Sequence, residues 1–362
     1  MVKMRKNLKI ALIITSILIV GGGATFGIIF AVTWGDYEYS NIYYYDPGVP
    51  PSGIEKVNFH SDVGSIRINY NETPTNYYIK LALDIQLKGA FVEGKSFSDF
   101  FKLIWLNESV PVTTFSLDRK SFLFPIIQKI NISVILRTDI IYDIVAHTDT
   151  GSVGMIIPQH IRLNNTDLDC STGSILLESD DNCVFDGILD MKSSTGSIAL
   201  YAKKVNFTQG LYAYTSTGSL LLNFTDCVIG DDLTGTVSTG SISIKSYNMI
   251  YTQNSQWDFE TSTGSINVEI LQYIDMGADI TGSLKTSTGS IDLTYKDNQS
   301  NVGASFFGSW STGSYLRSSS GGGFGSTGDN PFQSIDYGTA TSSYTLSLTT
   351  GTGSIDVDGT ST

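Results

Sequence analysis

Apolar and polar residues alternate, two positions apart, on both sides of a glycine that recurs along the middle of the chain. Six copies of Ser-Thr-Gly-Ser-Ile/Leu place it at Gly173, Gly196, Gly218, Gly240, Gly264 and Gly289, at spacings of 23, 22, 22, 24 and 25 residues. After each glycine the second and fourth residues are apolar, as in Ile175/Leu177, Leu220/Leu222 and Ile291/Leu293. Before it, positions −5 and −3 read inward more loosely (Leu168/Cys170, Met191/Ser193), and −4 and −2 read outward. A period of two belongs to strands rather than helices. The phase changes across the glycine, as a corner requires, and glycine enters positive φ without steric cost. Each repeat is therefore predicted as strand, corner, strand and a variable return.

Repeats of this length mark a solenoid, whose coils bury their apolar faces only against neighbouring coils. The predicted fold is all-β: a single-stranded right-handed parallel β-helix of 22–25 residues per coil behind an N-terminal transmembrane helix. Variant corners extend the pattern to Gly151, to Gly64 near the start and to Gly353 near the end. The corner Ser and Thr are expected to form ladders, each hydroxyl bonding its equivalent one coil away. A flat outward Thr array is also what ice-binding solenoids use, but here Thr sits beside a corner rather than on a flat strand face.

The ends differ from the middle. From Leu8 to Thr33 the only charge is Lys9, and the uncharged run from Ile10 is long enough to span a bilayer. Lys3, Arg5, Lys6 and Lys9 come first, and Asp36 and Glu38 follow. The positive-inside rule then gives a cytoplasmic end (1–9), a transmembrane helix (10–34) and an extracellular body. No second such run occurs, so the expectation is a single-pass protein of the cell membrane; a cleaved signal peptide is the alternative. Residues 35–53, rich in Tyr, Pro and Gly, read as a stalk, and 54–146 as irregular first coils.

Within those coils Phe97, Phe100, Phe101, Ile104 and Trp105 share a helical face behind a Ser96/Asp99 capping box. Such a helix would cover the open end of the solenoid; an irregular or lipid-facing loop is the alternative. Residues 147–317 are the regular repeats, 318–330 a Gly/Ser-rich loop and 331–362 a terminal coil.

Charge narrows the partners. Four of the 22 basic residues precede residue 36, where none of the 35 acidic ones lies. So acidic a body excludes nucleic acid as a partner. Seven Asn-x-Ser/Thr sequons are compatible with glycosylation. The 3 cysteines, Cys170, Cys183 and Cys227, cannot all pair within one chain, and Cys183 and Cys227 fall two coils apart, too far for a bridge.

Two of the 3 histidines share one register: His60-Ser-Asp62-Val-Gly64 and His147-Thr-Asp149-Thr-Gly151. In both, His stands at −4, and Asp replaces the usual Ser at −2, on the outward face. If these coils were neighbours, His60, Asp62, His147 and Asp149 would converge on a site for a divalent cation, Zn²⁺ by the imidazoles or Ca²⁺ by the carboxylates. The long intervening stretch argues against neighbourhood. No other cofactor is expected. Acidic residues scatter without a repeated pair, and no phosphate loop, serine-nucleophile motif or Cys/His couple occurs, so catalysis is not expected.

The repeated Ser-Thr-Gly-Ser-Ile-x-Leu, the early Asp62-Val-Gly-Ser-Ile copy and the closing Thr352-Gly-Ser-Ile-Asp-Val357 resemble the putative-adhesin β-solenoid domain, over roughly 54–358. That domain, of unknown function, is common in bacterial and archaeal surface proteins and brings no catalytic residues. The resemblance implies a structural or adhesive role, with a surface, a glycan or an envelope protein as partner. An envelope sensor or regulatory subunit is the first alternative, and a β-helix polysaccharide-active enzyme the second.

Overall fold

The computed structural model describes residues 34–46, 53–71, 77–90, 92–106, 112–120, 126–298, 301–319, 323–326 and 329–361. Each repeat contributes a strand before the corner glycine and one after it. The pre-corner strands Arg162–Thr172, Leu189–Thr195, Leu211–Thr217, Leu233–Thr239, Ser255–Thr263 and Ile280–Thr288 pair in parallel, coil on coil. The post-corner strands Val153–Ile157, Ile175–Ser179, Ile198–Lys203, Leu220–Thr225, Ile242–Tyr247, Ile266–Gln272 and Ile291–Asp297 do the same. The return carries a short third strand in four coils: Val184–Phe185, Asn206–Phe207, Val228–Ile229 and Ile250–Tyr251. This all-β stack of coils fits the adhesin-type β-solenoid that the repeats resemble.

Burial follows the alternation. Ile175, Leu177, Ile198, Leu200, Leu220 and Leu222 are buried, with exposed or half-buried residues between them. Rings stack down the interior, Phe185 on Phe207 at 5.1 Å. The indole N–H of buried Trp257 donates to Tyr251 Oη at 3.1 Å, so the largest core side chain leaves no polar atom unpaired.

The corner glycines are required twice over. Gly196, Gly218 and Gly264 sit at φ of 145°, 147° and 144°. A Cβ on Gly218 would also lie 2.0 Å from the carbonyl oxygen of Gly196. That oxygen instead accepts a hydrogen bond from Thr215 Oγ1 (2.8 Å), and Thr261, Thr286 and Thr350 serve Gly240, Gly264 and Gly289 alike (each 2.9 Å). The outer serines form a ladder, hydroxyl to hydroxyl as expected between Ser354 and Ser290 (3.2 Å) but through the backbone N–H in the regular coils. The N–H of Ser174, Ser197 and Ser219 donates to the Oγ of Ser152, Ser174 and Ser197, at 3.2, 3.2 and 3.1 Å. A second corner, on the return, places Asn182, Lys204, Asp226 and Asn248 in the left-handed region at φ of 50–63°.

The expected single-stranded right-handed parallel β-helix with a transmembrane helix is corrected in three respects. The sheets are mixed. Trp34–Tyr45 runs antiparallel to Ile79–Ala90, and that strand antiparallel to Ile126–Arg137. Phe101–Leu106 runs antiparallel to Thr113–Arg119, and Val302–Thr312 to Phe332–Gln333. A segment that doubles straight back pairs antiparallel; parallel neighbours arise only where the chain travels a full coil.

The order of coils also departs from chain order at both ends. Strand Ile54–Val63 lies between Thr113–Arg119 and Ile141–Thr150. Strand Ser342–Thr352 lies between Ile280–Thr288 and Val302–Thr312. The last coil is thus inserted beneath the one that precedes it in sequence.

The third correction concerns the membrane. The expected helix over 10–34 and the stalk after it meet a strand, because Trp34–Tyr45 is paired along its whole length. Residues 1–33 lie outside the described residues. Among the described residues no helix is long and apolar enough to cross a membrane, and Phe97–Phe100 is a single helical turn. The single-pass placement, with a cytoplasmic amino end and an extracellular body, is corrected with it. The capping box is present, with Ser96 N–H donating to Asp99 at 2.8 Å, but Phe101–Leu106 continues as strand. Its aromatic residues pack on the edge strand: Phe97 on Tyr39 at 4.5 Å, Phe100 on Tyr37 at 5.1 Å and Trp105 on Tyr43 at 5.9 Å.

Candidate functional site

The exchanged coil order makes the two His-bearing strands direct neighbours. Ile54–Val63 pairs in parallel with Ile141–Thr150, and His60 lies opposite His147. Their rings stack at 5.1 Å with planes 3° apart. Asp62 and Asp149 follow, on the same outward row. The four residues singled out in the sequence are thus brought side by side, but they divide into two groups.

In the first group His60 Nε2 lies 3.3 Å from Asp62 Oδ1. The N–H of Arg119 donates to Asp62 Oδ2 at 2.8 Å and fixes that carboxylate. Asp118 comes from strand Thr113–Arg119 on the other side, and ligand atoms of His60, Asp62 and Asp118 all lie within 4.8 Å of one another. Ser116 Oγ donates to one oxygen of Asp118 and holds its side chain.

In the second group both ring nitrogens of His147 are engaged, Nε2 with Asp149 at 2.9 Å and Nδ1 with Asp169 at 3.0 Å. Burial would lower the His147 pKa, but hydrogen bonds to Asp149 and Asp169 outweigh it and leave the imidazole above its usual value. One row nearer the strand start, burial first and then the charge of Asp190 raise Asp167. Both ring nitrogens of His147 are thus taken up by carboxylates, Asp149 on one side and Asp169 on the other.

Sequence reasoning missed Asp118 and Asp169. Asp169 stands at −4 in the next coil, opposite His147, and the repeat spacing alone could have found it. Asp118 belongs to an irregular coil with no corner glycine. Its only signal is that Ser116-Leu117-Asp118 copies the outward-inward-outward order of His60-Ser61-Asp62.

A second feature lies on the post-corner sheet. A shallow groove of about 470 Å³ crosses three coils, lined by Leu176, Glu178, Tyr201, Lys203, Asn223 and Thr225. Tyr201 is 40% exposed and Leu176 38%. An exposed ring thus shares the groove with a carboxylate, an ammonium group, an amide and a hydroxyl.

No protein-family model matches the chain, and no curated protein matches it. Among solved structures the chain is similar to a putative cell adhesion protein from Clostridium sporogenes, at 13% identity and a TM-score of 0.21, covering 89% of this chain and 100% of that one. It is also similar to a putative adhesin from Bacteroides fragilis (12%, TM-score 0.35, covering 89% and 97%) and to one from Parabacteroides merdae (9%, TM-score 0.35, covering 88% and 95%). At such identities and TM-scores the functional reading rests on the chain's own geometry.

Proposed function

We propose that the protein is a non-catalytic adhesive scaffold whose solenoid holds a row of outward side chains against a glycan. The observation that carries this reading is the groove around Tyr201. An aromatic face supplies apolar contact to one side of a sugar ring, and Glu178, Lys203 and Asn223 supply donors and acceptors for its hydroxyls. Leu176 and Tyr201 give the apolar contact, and most of the other lining residues are polar, as the many hydroxyls of a sugar require. A coil-on-coil sheet keeps these side chains at a fixed spacing without a lid or hinge, which suits holding a ligand more than turning it over. Glu178 and Asp180 both line the groove, so released sugar is the readout that separates binding from hydrolysis.

The test is incubation of the chain with a panel of polysaccharides, measuring retention and released sugars together. Retention without released product is expected. Product release would overturn the reading in favour of a polysaccharide-active enzyme.

A further inference from the structure

The −2 row of the outer face is Ser in six successive coils: Ser171, Ser194, Ser216, Ser238, Ser262 and Ser287. Only on the three adjoining strands at the amino end does it become Asp118, Asp62 and Asp149. These residues are far apart in sequence, so their meeting is a product of the exchanged coil order. Like charges opposite one another across strands are destabilising. Nearby lysines are committed elsewhere, Lys56 to Asp143 (3.8 Å) and Lys192 to Asp190. Asp149 is answered by His147. His60 Nε2 lies 3.3 Å from Asp62, and ligand atoms of His60, Asp62 and Asp118 all lie within 4.8 Å of one another.

We propose that His60, Asp62 and Asp118 form a divalent-cation site, selective for Zn²⁺. One imidazole and two carboxylates are a ligand set that Zn²⁺ takes in tetrahedral geometry, leaving a fourth position for water or a ligand oxygen. With metal–ligand bonds of about 2.0–2.2 Å, tetrahedral ligands lie about 3.4 Å apart. The His60–Asp62 separation of 3.3 Å already matches that spacing. The remaining ligand atoms, with Asp118 included, lie within 4.8 Å of one another. The Arg119 N–H on Asp62 and the Ser116 hydroxyl on Asp118 are outer partners that orient the carboxylates. Ca²⁺, which takes six to eight oxygens, finds too few here. The ion would pin the strand Thr113–Arg119 onto Ile54–Val63, so binding adds stability as well as a coordination site. The inference does not depend on the glycan reading, since the groove lies on the other sheet.

The experiment is titration of the chelator-treated full-length chain with Zn²⁺ and, separately, with Ca²⁺, followed by calorimetry and thermal melting. Co²⁺ loading reports geometry by its absorption spectrum. One Zn²⁺ per chain, a raised Tm and a tetrahedral Co²⁺ spectrum are expected. His60→Ala and Asp118→Asn should each weaken binding by more than the roughly 10- to 100-fold that loss of an outer partner costs. His147→Asn should retain it. Failure to bind Zn²⁺, preference for Ca²⁺, or affinity unchanged in both His60→Ala and Asp118→Asn would overturn the proposal. Loss in His147→Asn equal to that in His60→Ala would overturn the ligand assignment.

Discussion

At the scale of single residues the corner explains why so plain a word is repeated. Gly218 has positive φ and no room for a Cβ beside Gly196 O. Gly218→Ala is expected to cost about 3 kcal/mol, read as a lower urea midpoint. Gly154, in a strand with nothing within 4 Å of an added Cβ, is the control, and Gly154→Ala should stabilise by about 0.5–1 kcal/mol. The −3 position gives a second test. Thr215 and Thr261 cap corner carbonyls, and Val237, in the same row between them, brings no hydroxyl. Val237→Thr should therefore gain about 1 kcal/mol in the same assay. No stabilisation would mean that the corner carbonyl is already served. Cys170, Cys183 and Cys227 are buried free thiols, and burial pushes Cys227 up to about 11. The reactive species is the thiolate, so all 3 should resist iodoacetamide at neutral pH in the folded chain and react once urea unfolds it. These corner roles were legible in part. The glycine and the outward serine could be read from the repeat, but the −3 hydroxyl looked like loose core because Cys170 and Val237 interrupt it.

At the scale of elements the repeat shows its reach and its limit. Strand direction, register and burial from Val153 to Asp297 follow from the period, because each coil travels the same distance and lands beside its predecessor. At the ends the period could not show which coil lies next to which. The excursion between Gly64 and Gly151 lands on the outer side of the first coil, where Thr113–Arg119 and Ile126–Arg137 pair in parallel with Ile54–Val63 and Ser65–Asn71. Ile141–Thr150 takes the inner side, so His60 meets His147 across a gap that appeared to separate them. The short third strand was hidden too, since two residues carry no periodicity. Its left-handed turn was half-visible in Asn182, Asp226 and Asn248, residue types that tolerate that region, but not in Lys204. The inserted last coil has a measurable consequence. Removing residues 331–362 takes away a middle layer, not an outer one, because Ser342–Thr352 holds Val302–Thr312 in place. In a chain ending at residue 330, limited proteolysis should cut within 302–319, which the full chain protects. Equal protection in both would contradict the observed coil order.

At the scale of the whole molecule the solenoid is a quasi-one-dimensional frame that fixes side chains on its outside. Its ends bear the departures from the repeat, and its regular middle bears the groove. The net charge of −13 bears on the partner as well. An acidic frame repels uronate-rich polymers and favours neutral or amino-sugar ones, an ordering that should weaken as salt rises. The helix expected over 10–34 meets strand pairing at its last residue, Trp34, and the rest of it lies outside the described residues. The claim that matters most is that the scaffold binds glycan through the Tyr201 face. Its most direct test is the binding isotherm of the retained polysaccharide on wild type and on Tyr201→Ala, whose exposed ring can be removed without disturbing the core. At least a tenfold loss, about 1.4 kcal/mol, with an unchanged Tm is predicted. Equal affinity in the two proteins would contradict it.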